Sequence, residues 1–172
     1  CVTINTYLDD PTLIQVRAED RRGGYLAAKH LIDLGHRNIL FIGAVHCGWR
    51  GSVADILGAA VAQMRALGAH PADIRAAIGP GIGACCFEVG PEVVAAAEAL
   101  LHEPLGALVR PRTDGKALLD LKGVNARRLA QLGVPAGQIA GSDACTMCRP
   151  DVFWSHRATN GRRGVQAAVI TL

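Results

Sequence analysis

Aromatic residues are scarce in this chain, at 4% of 172 residues. That excludes the row of exposed rings on which single-stranded nucleic acid stacks. Blocks of like charge are absent too. The 18 basic and 15 acidic side chains are interspersed and leave a net +3, so no nucleic-acid or other polyanionic partner is expected. No apolar run approaches the ~18 residues of a membrane-spanning helix, so no membrane partner is expected. The chain opens CVTINTYLDD, with neither an initiator Met nor a basic segment followed by an apolar one. The expectation is a fragment or processed chain without a secretory leader, in a cytoplasmic setting.

What the chain does have is apolar mass. Half of its residues are apolar and 19% charged, with a mean hydropathy of +0.23, which excludes disorder. Ala, Leu, Val and Ile supply that mass, alongside 20 Gly. This profile points to the α/β (α+β) class, with a mixed β-sheet flanked by helices. A chain of this length buries roughly two-thirds of its unfolded surface and needs no disulfide to fold. The six cysteines are Cys1, Cys47, Cys85, Cys86, Cys145 and Cys148. Their even number permits disulfides, but the adjacent Cys85-Cys86 pair fits such a framework poorly, so reduced thiols are expected.

Residues 1–43 read as strand (CVTIN), turn (YLDDPT), strand (LIQVRA), helix (RRGGYLAAKHLIDLG) and buried strand (NILFIGA, ending at 44). A long helix is expected over 52–68, with Ser52 as its N-cap and Gly68 as its stop. A short helical turn follows at Pro71. AAIGPGIGACCF reads as a strand entering a Gly-Pro loop. Pro91 opens a helix at its first position, with Glu92 in the first turn. ALVRP and KALLDL read as strands, 124–132 as a helix ended by Gly133, and QIAGSDACTMC as a strand entering a loop. VFWSHR and VQAAVITL read as terminal strands. His70 and His102 sit at helix ends, and His30 and His36 on the first helix or its end; all four read as surface or capping residues.

The sharpest motif is VHCGWRG, residues 45–51. A histidine at a strand tip faces a cleft, and glycines permit tight turns. Arg50 offers a fork of donors to phosphate or carboxylate. The competing structural reading packs Trp49 and pairs Arg50. AIGPGIGACCFEVG fails both nucleotide-binding glycine fingerprints. Cys85 and Cys86 are candidate thiols there, or small buried hydrophobes. CTMC at 145–148 is one C-x-x-C without the second pair of a zinc ribbon. FWSHR with Asp143 suggests a Ser-His-Asp triad only weakly, because the G-x-S-x-G elbow is missing.

The stretches AVHCGWRG, AAIGPGIGACCFEVGPEV, LLDLKGVNARRLAQLGV, CTMCRPDVFWSHR and GRRGVQAAVI resemble, in order and spacing, the C-terminal portion of the YfiH family. These are laccase-domain proteins, also called multicopper polyphenol oxidoreductases, regarded as purine nucleoside phosphorylases with adenosine deaminase activity. The resemblance covers 44–172 and implies a YfiH-like fold, incomplete on its N-terminal side. It implies zinc (copper in the older naming), with His46 as a metal ligand and catalytic residue. Trp49, Arg50, Gly51 and Arg157 are the implied substrate-binding residues, for a purine nucleoside and phosphate. Cys47, Cys85 and Cys86 are the thiols near enough in motif to enter such a site. The family's other two zinc ligands, a His and a Cys, come from upstream segments that have no equivalents here. The chain is therefore expected to be weakly active or inactive, unless Cys47 with Cys85 or Cys86 completes a substitute site around His46.

VRAEDRRGGYLAAKHLIDLGHRNILFIG resembles instead a segment of the sugar-sensing core of LacI/GalR-type regulators. This implies two parts, 1–43 and 44–172, of different ancestry. A sugar-binding fragment, or a chimera without a function of its own, is the alternative reading.

Overall fold

The structure, a computed structural model, describes residues 2–4, 14–16, 33 and 45–162. The strand expected over 38–44 and the last strand, over 165–172, lie outside the described residues. So does the helix expected over 21–35 apart from Asp33, which is helical. The chain divides into two compact units, Cys1–Phe41 and Ile42–Leu172. In the first, β1 (Val2–Ile4) and β2 (Ile14–Val16) pair in parallel, with Val2 opposite Ile14. Both strands fall where β-branched residues cluster.

The second unit opens with two helices, α1 (Trp49–Val53) and α2 (Ile56–Ala66). Next come β3 (Ala76–Ile78), β4 (Glu88–Val89) and α3 (Pro91–Leu101). The strands β5 (Val109–Pro111) and β6 (Ala117–Leu119) lead to α4 (Leu121–Gln131) and β7 (Ile139–Gly141). β3 and β7 pair in parallel, Ala76 opposite Ile139. β6 lies between β4 and β5 and is antiparallel to both. Parallel and antiparallel pairings are thus both present, as a mixed α/β arrangement requires, in small separate sheets.

Local chemistry sets the helix limits. Pro91 occupies the first helical position of α3, where its missing N–H costs nothing. Val93, Ala97, Leu100 and Leu101 then recur on one buried stripe. α4 starts three residues before the expected Val124, because the Asp120 carboxylate accepts a hydrogen bond from Gly123 N at 2.9 Å. Gly133 (φ +94°) closes that helix, and Gly68 (φ +101°) follows α2. The main core gathers Phe87, Val89, Val93, Leu101, Leu105, Leu119 and Val124, with Trp49 and Val53 of α1 packed against it. Each such buried Val, Leu or Phe contributes about 1.5–3 kcal/mol. A second cluster joins Val61 of α2, Ile74, Leu129 of α4 and Val134.

Two expectations are corrected. The single helix over 52–68 is two helices, and Ser52 is not a cap. It is buried inside α1, its hydroxyl donating to the Cys47 carbonyl at 3.4 Å. The break falls at Asp55, which adopts the left-handed conformation (φ +57°) and caps α2 by accepting from Gly58 N at 3.1 Å. The Arg128 guanidinium of α4 holds the same carboxylate through Nε at 2.8 Å and Nη2 at 2.6 Å, a forked, charge-assisted pair. The second correction concerns VFWSHR, which is a run of turns and not a strand. Ser155 is buried, accepts from Ala158 N at 3.4 Å, and takes the Thr159 hydroxyl on its carbonyl at 2.9 Å. Asn160 and Gly161 then take positive φ. Side-chain bonding to the local backbone competes with the ladder here.

The hydrogen bond from Arg128, partly opposed by burial and aided by Gly58 N–H, holds the Asp55 carboxyl below its ordinary value of 3.8. A depressed carboxyl stabilises the fold above its unfolded pKa, and that contribution is lost as pH falls through the folded value. Asp55→Asn, which keeps the cap, should therefore cost about 1 kcal/mol or less at pH 7, since solvent screens a side chain 35% exposed. The difference from wild type should shrink as pH falls below 3.8 through the folded value. Asp55→Ala, which also loses the cap, should cost about 1–2 kcal/mol more than Asp55→Asn, and that part should persist at low pH. Urea unfolding curves of the three proteins at pH 7 and pH 3 check both.

Candidate functional site

Two places in the second unit collect reactive side chains. The first is the turn before α1. His46 is exposed, two residues ahead of Gly48 and outside any helix or strand. A side chain on Gly48 would press on the imidazole, since a Cβ there would lie 3.0 Å from His46 Nε2. The backbone at Gly48 thus has to stay bare for His46 to hold this position. α1 begins at Trp49, two residues before Gly51. Trp49 is half-buried on the core while the Arg50 guanidinium stacks on its ring, 4.4 Å from the centroid. Arg50 is exposed and has no carboxylate partner among the described residues. Cys47 is half-buried, and burial pushes its thiol above the ordinary value of 9.0.

Arg157 lies elsewhere in the chain and is also exposed. Its Nη1 donates to the Glu88 carbonyl at 3.1 Å, and its guanidinium sits 5.7 Å from the Phe87 ring. It thereby fastens the turns after Phe153 to the start of β4.

The second place follows from the parallel pairing of β3 and β7. Parallel neighbours release their following loops at the same end of the sheet. The loop after β3 carries Cys85 and Cys86; the loop after β7 carries Cys145 and Cys148. Gly81 bridges Cys145, and Thr146 N donates to the Gly81 carbonyl at 3.0 Å. Gly83 N donates to Cys145 Sγ at 3.2 Å. Cys148 Sγ lies 3.6 Å from Cys85 Sγ and 3.4 Å from Cys86 Sγ. All four sulfurs fall within 4.8 Å of one another, the one set of three or more converging metal-type donors among the described residues. Cys85 and Cys148 are exposed and Cys86 is half-buried, so Cys85 and Cys86 are not small core residues.

Electrostatics make the four thiols unequal. Burial pushes the Cys145 thiol up, but N–H groups of Gly83, Cys148 and Met147 and the Cys148 thiol outweigh it and bring it down to about 6. Cys86 is pushed up to about 12 by its hydrogen bond to Cys148, by burial, and by Cys85 and Cys145. The hydrogen bond from Cys86 lowers Cys148, yet Cys85, Cys145 and burial together raise it. Hydrogen bonding thus pulls the Cys145 and Cys86 thiols in opposite directions.

A cavity of about 340 Å³ opens beside this cluster, lined among others by Cys85, Cys145, Asp120, Lys122 and Asp143. Lys122 Nζ donates to the Ser142 carbonyl at 2.5 Å and the Ala144 carbonyl at 3.1 Å, so it fixes the backbone that leads into Cys145. The structure therefore brings together Cys85, Cys86, Cys145 and Cys148. It does not add His46 or Cys47 to them. Sequence reasoning paired Cys85 and Cys86 with His46 and set the C-x-x-C aside for want of a second C-x-x-C. The second pair is present as adjacent cysteines on the neighbouring parallel strand's loop.

The family profile described as "Multi-copper polyphenol oxidoreductase laccase" matches residues 32–172. The chain belongs to this family. The match begins upstream of residue 44 and takes in residues 32–43, which the motif reading gave to the other segment. The purine nucleoside phosphorylase YlmD of Geobacillus stearothermophilus is 39% identical over 131 residues, 75% of this chain and 47% of that protein. Adenosine deaminase RL5, from an unknown prokaryote, is 42% identical over 112 residues, 65% of this chain and 43% of that protein. The crystal structure of the Geobacillus YlmD superposes with a TM-score of 0.63 at 39% identity, covering 70% of this chain and 45% of that one. That of YfiH from Bacillus licheniformis gives 0.63 at 38% identity, covering 69% and 45%. The chain thus spans about half the length of the relatives it matches. Among the described residues, no helix is long and apolar enough to cross a membrane.

A Cβ on Gly83 would lie 3.1 Å from Cys145 Cβ and 3.3 Å from Cys85 Sγ. Gly83→Ala should therefore push the two loops apart and cost about 1–3 kcal/mol. Thermal unfolding should show it as a drop of several °C, about 2–4 °C per kcal/mol at this size. As the N–H donor from residue 83 moves away, the pKa of the Cys145 thiol should rise and its reaction with an alkylating agent at neutral pH should slow.

Proposed function

We propose that the chain carries part of a purine nucleoside and phosphate site centred on the His46 turn, and that alone it turns over inosine slowly or not at all. The observation that carries this reading is the turn His46-Cys47-Gly48-Trp49-Arg50-Gly51. It presents an exposed imidazole and an exposed guanidinium, in a chain 39% identical over most of its length to a protein named as a purine nucleoside phosphorylase. Arg50, and Arg157 with its remaining N–H groups, are the cations offered to an oxyanion. Trp49 holds Arg50 by its ring and is the surface offered to a base.

The zinc implied by the family resemblance takes three protein ligands and an open position. His46 offers one, beside the half-buried Cys47. Neither joins a convergent set of three among the described residues. These residues do not fit that centre. Low activity is the consequence.

Inosine phosphorolysis by the 172-residue chain should fall at least about 100-fold below that of a full-length relative, since even indirect support of a metal ligand is worth 10–100-fold. Binding should survive better than turnover. Inosine with phosphate should raise the melting temperature, as any ligand specific to the folded state does, and Arg50→Ala should abolish the phosphate part of that rise. Stabilisation by a free sugar with none by inosine would overturn the reading in favour of the regulator-like one. Full phosphorolytic activity would overturn the expectation of an incomplete site.

A further inference from the structure

We propose that Cys85, Cys86, Cys145 and Cys148 form a tetrathiolate site for one zinc ion, which ties the loop after β3 to the loop after β7. The site is separate from the His46 turn and stands whether or not the reading of that turn does.

The first argument is spacing. Four sulfurs at about 2.3 Å from a tetrahedral zinc lie about 3.8 Å from one another. The two shortest separations here are 3.4 and 3.6 Å, and the whole set lies within 4.8 Å. Side-chain adjustments of less than about 1 Å bring all four onto one ion at that Zn–S distance. A disulfide needs its two sulfurs at about 2.05 Å. Cys148 sits between Cys85 and Cys86 without being committed to either.

The second argument is the backbone. Cys145-Thr146-Met147-Cys148 forms a turn that aims the N–H groups of Met147 and Cys148 at Cys145 Sγ, and Gly83 N–H reaches the same sulfur from the other loop. N–H donors converging on a sulfur stabilise its thiolate, the form that binds metal. The opposing loop repeats a tight turn, with Cys86 N and Phe87 N both donating to the Gly83 carbonyl at 3.0 and 2.9 Å. Two tight turns, each bringing a pair of sulfurs to one point, make a preformed cage.

The third argument is the donor set. Each thiol still protonated gives its proton to solvent as the S–Zn bond forms, so no oxidant or reductant is involved. The exposure of Cys85 and Cys148 lets the ion arrive from solvent. The donor set is all sulfur and complete at four, which suits a closed structural centre and not a catalytic one. The ion would bridge residues 62 and 63 positions apart, where cross-linking restricts the unfolded chain most effectively.

The test uses the full 172-residue chain, reduced, with Cys1→Ser and Cys47→Ser so that only the four thiols count. Zinc should bind one per chain and protect all four thiols from a disulfide reagent. Cobalt(II) in its place should give the intense visible bands of a tetrahedral site with sulfur-to-cobalt charge transfer. Cys86→Ser and Cys148→Ser should each weaken zinc binding by at least about 10- to 100-fold, while His46→Ala should bind it like the parent. Should the serine variants fail to fold, the cobalt spectrum and thiol count of the intact cluster still decide. Thiols as reactive with zinc as without it would overturn the proposal. So would a Cys148→Ser protein that binds zinc as tightly as the parent. A chain isolated two hydrogens lighter, with a disulfide among the four that blocks zinc, would overturn it too. Inosine-dependent stabilisation, read separately, reports on the His46 turn alone.

Discussion

The parallel pairing of β3 with β7 is the constraint on which the rest of the second unit depends. Parallel neighbours cannot be joined by a tight turn, so the chain must travel back along the sheet before the second strand can start. Between Ile78 and Ile139 that return path contains β4, α3, β5, β6 and α4. It is therefore the main core itself, built on Phe87, Leu101, Leu105, Leu119 and Val124, that brings β7 beside β3. The second cluster closes the arrangement from the other side, where Val61 of α2 meets Leu129 of α4 and Val134. The fork from Arg128 to Asp55 fixes the same two helices by charge. The convergence of four sulfurs is a late consequence of this crossover, since no step shorter than the whole crossover places them together.

That dependence explains which features could be read from the sequence. Pro91 at the head of α3, Glu92 beside it, and the positive-φ glycines Gly68 and Gly133 announce helix limits through their own backbone chemistry. No distant residue has a say in them. The break at Asp55 was hidden because half of what holds it is Arg128, 73 residues away. The apolar and aromatic residues of VFWSHR imitate a strand, but Ser155 and Thr159 spend their hydrogen bonds within their own turn, and Trp154 remains 52% exposed. The family resemblance was legible because several unrelated motifs keep their order across 44–172. The cysteine cluster was not, because C-C and C-x-x-C share no spacing. Only strand pairing relates them.

The two collections of reactive groups are of opposite kinds. The His46 turn is open, with an exposed imidazole and guanidinium, and it belongs to a chain that spans about half the length of its relatives. A site of that kind is finished by groups brought from other segments. The cysteine cluster is closed on itself, with donors from two adjacent loops and N–H groups aimed at Cys145 Sγ. A site of that kind is finished by an ion. The contrast bears on metal content, because zinc found in this protein would not by itself report a nucleoside-cleaving centre.

The two places nevertheless share a core. Trp49, which carries Arg50 on its ring, packs against the cluster that contains Phe87. Phe87 follows Cys86 directly, is buried, and lies beneath the guanidinium of Arg157. Close-packed interiors transmit displacement and tolerate little of it. Loosening the loop at Cys85 and Cys86 would therefore be felt first at Phe87, then at the Arg157 guanidinium beside it, and through the core at Trp49. An ion on the four sulfurs would stabilise that whole face without touching a nucleoside. Its effect on the His46 turn would be one of position, seen in how tightly an anion is held and not in the chemistry performed on it.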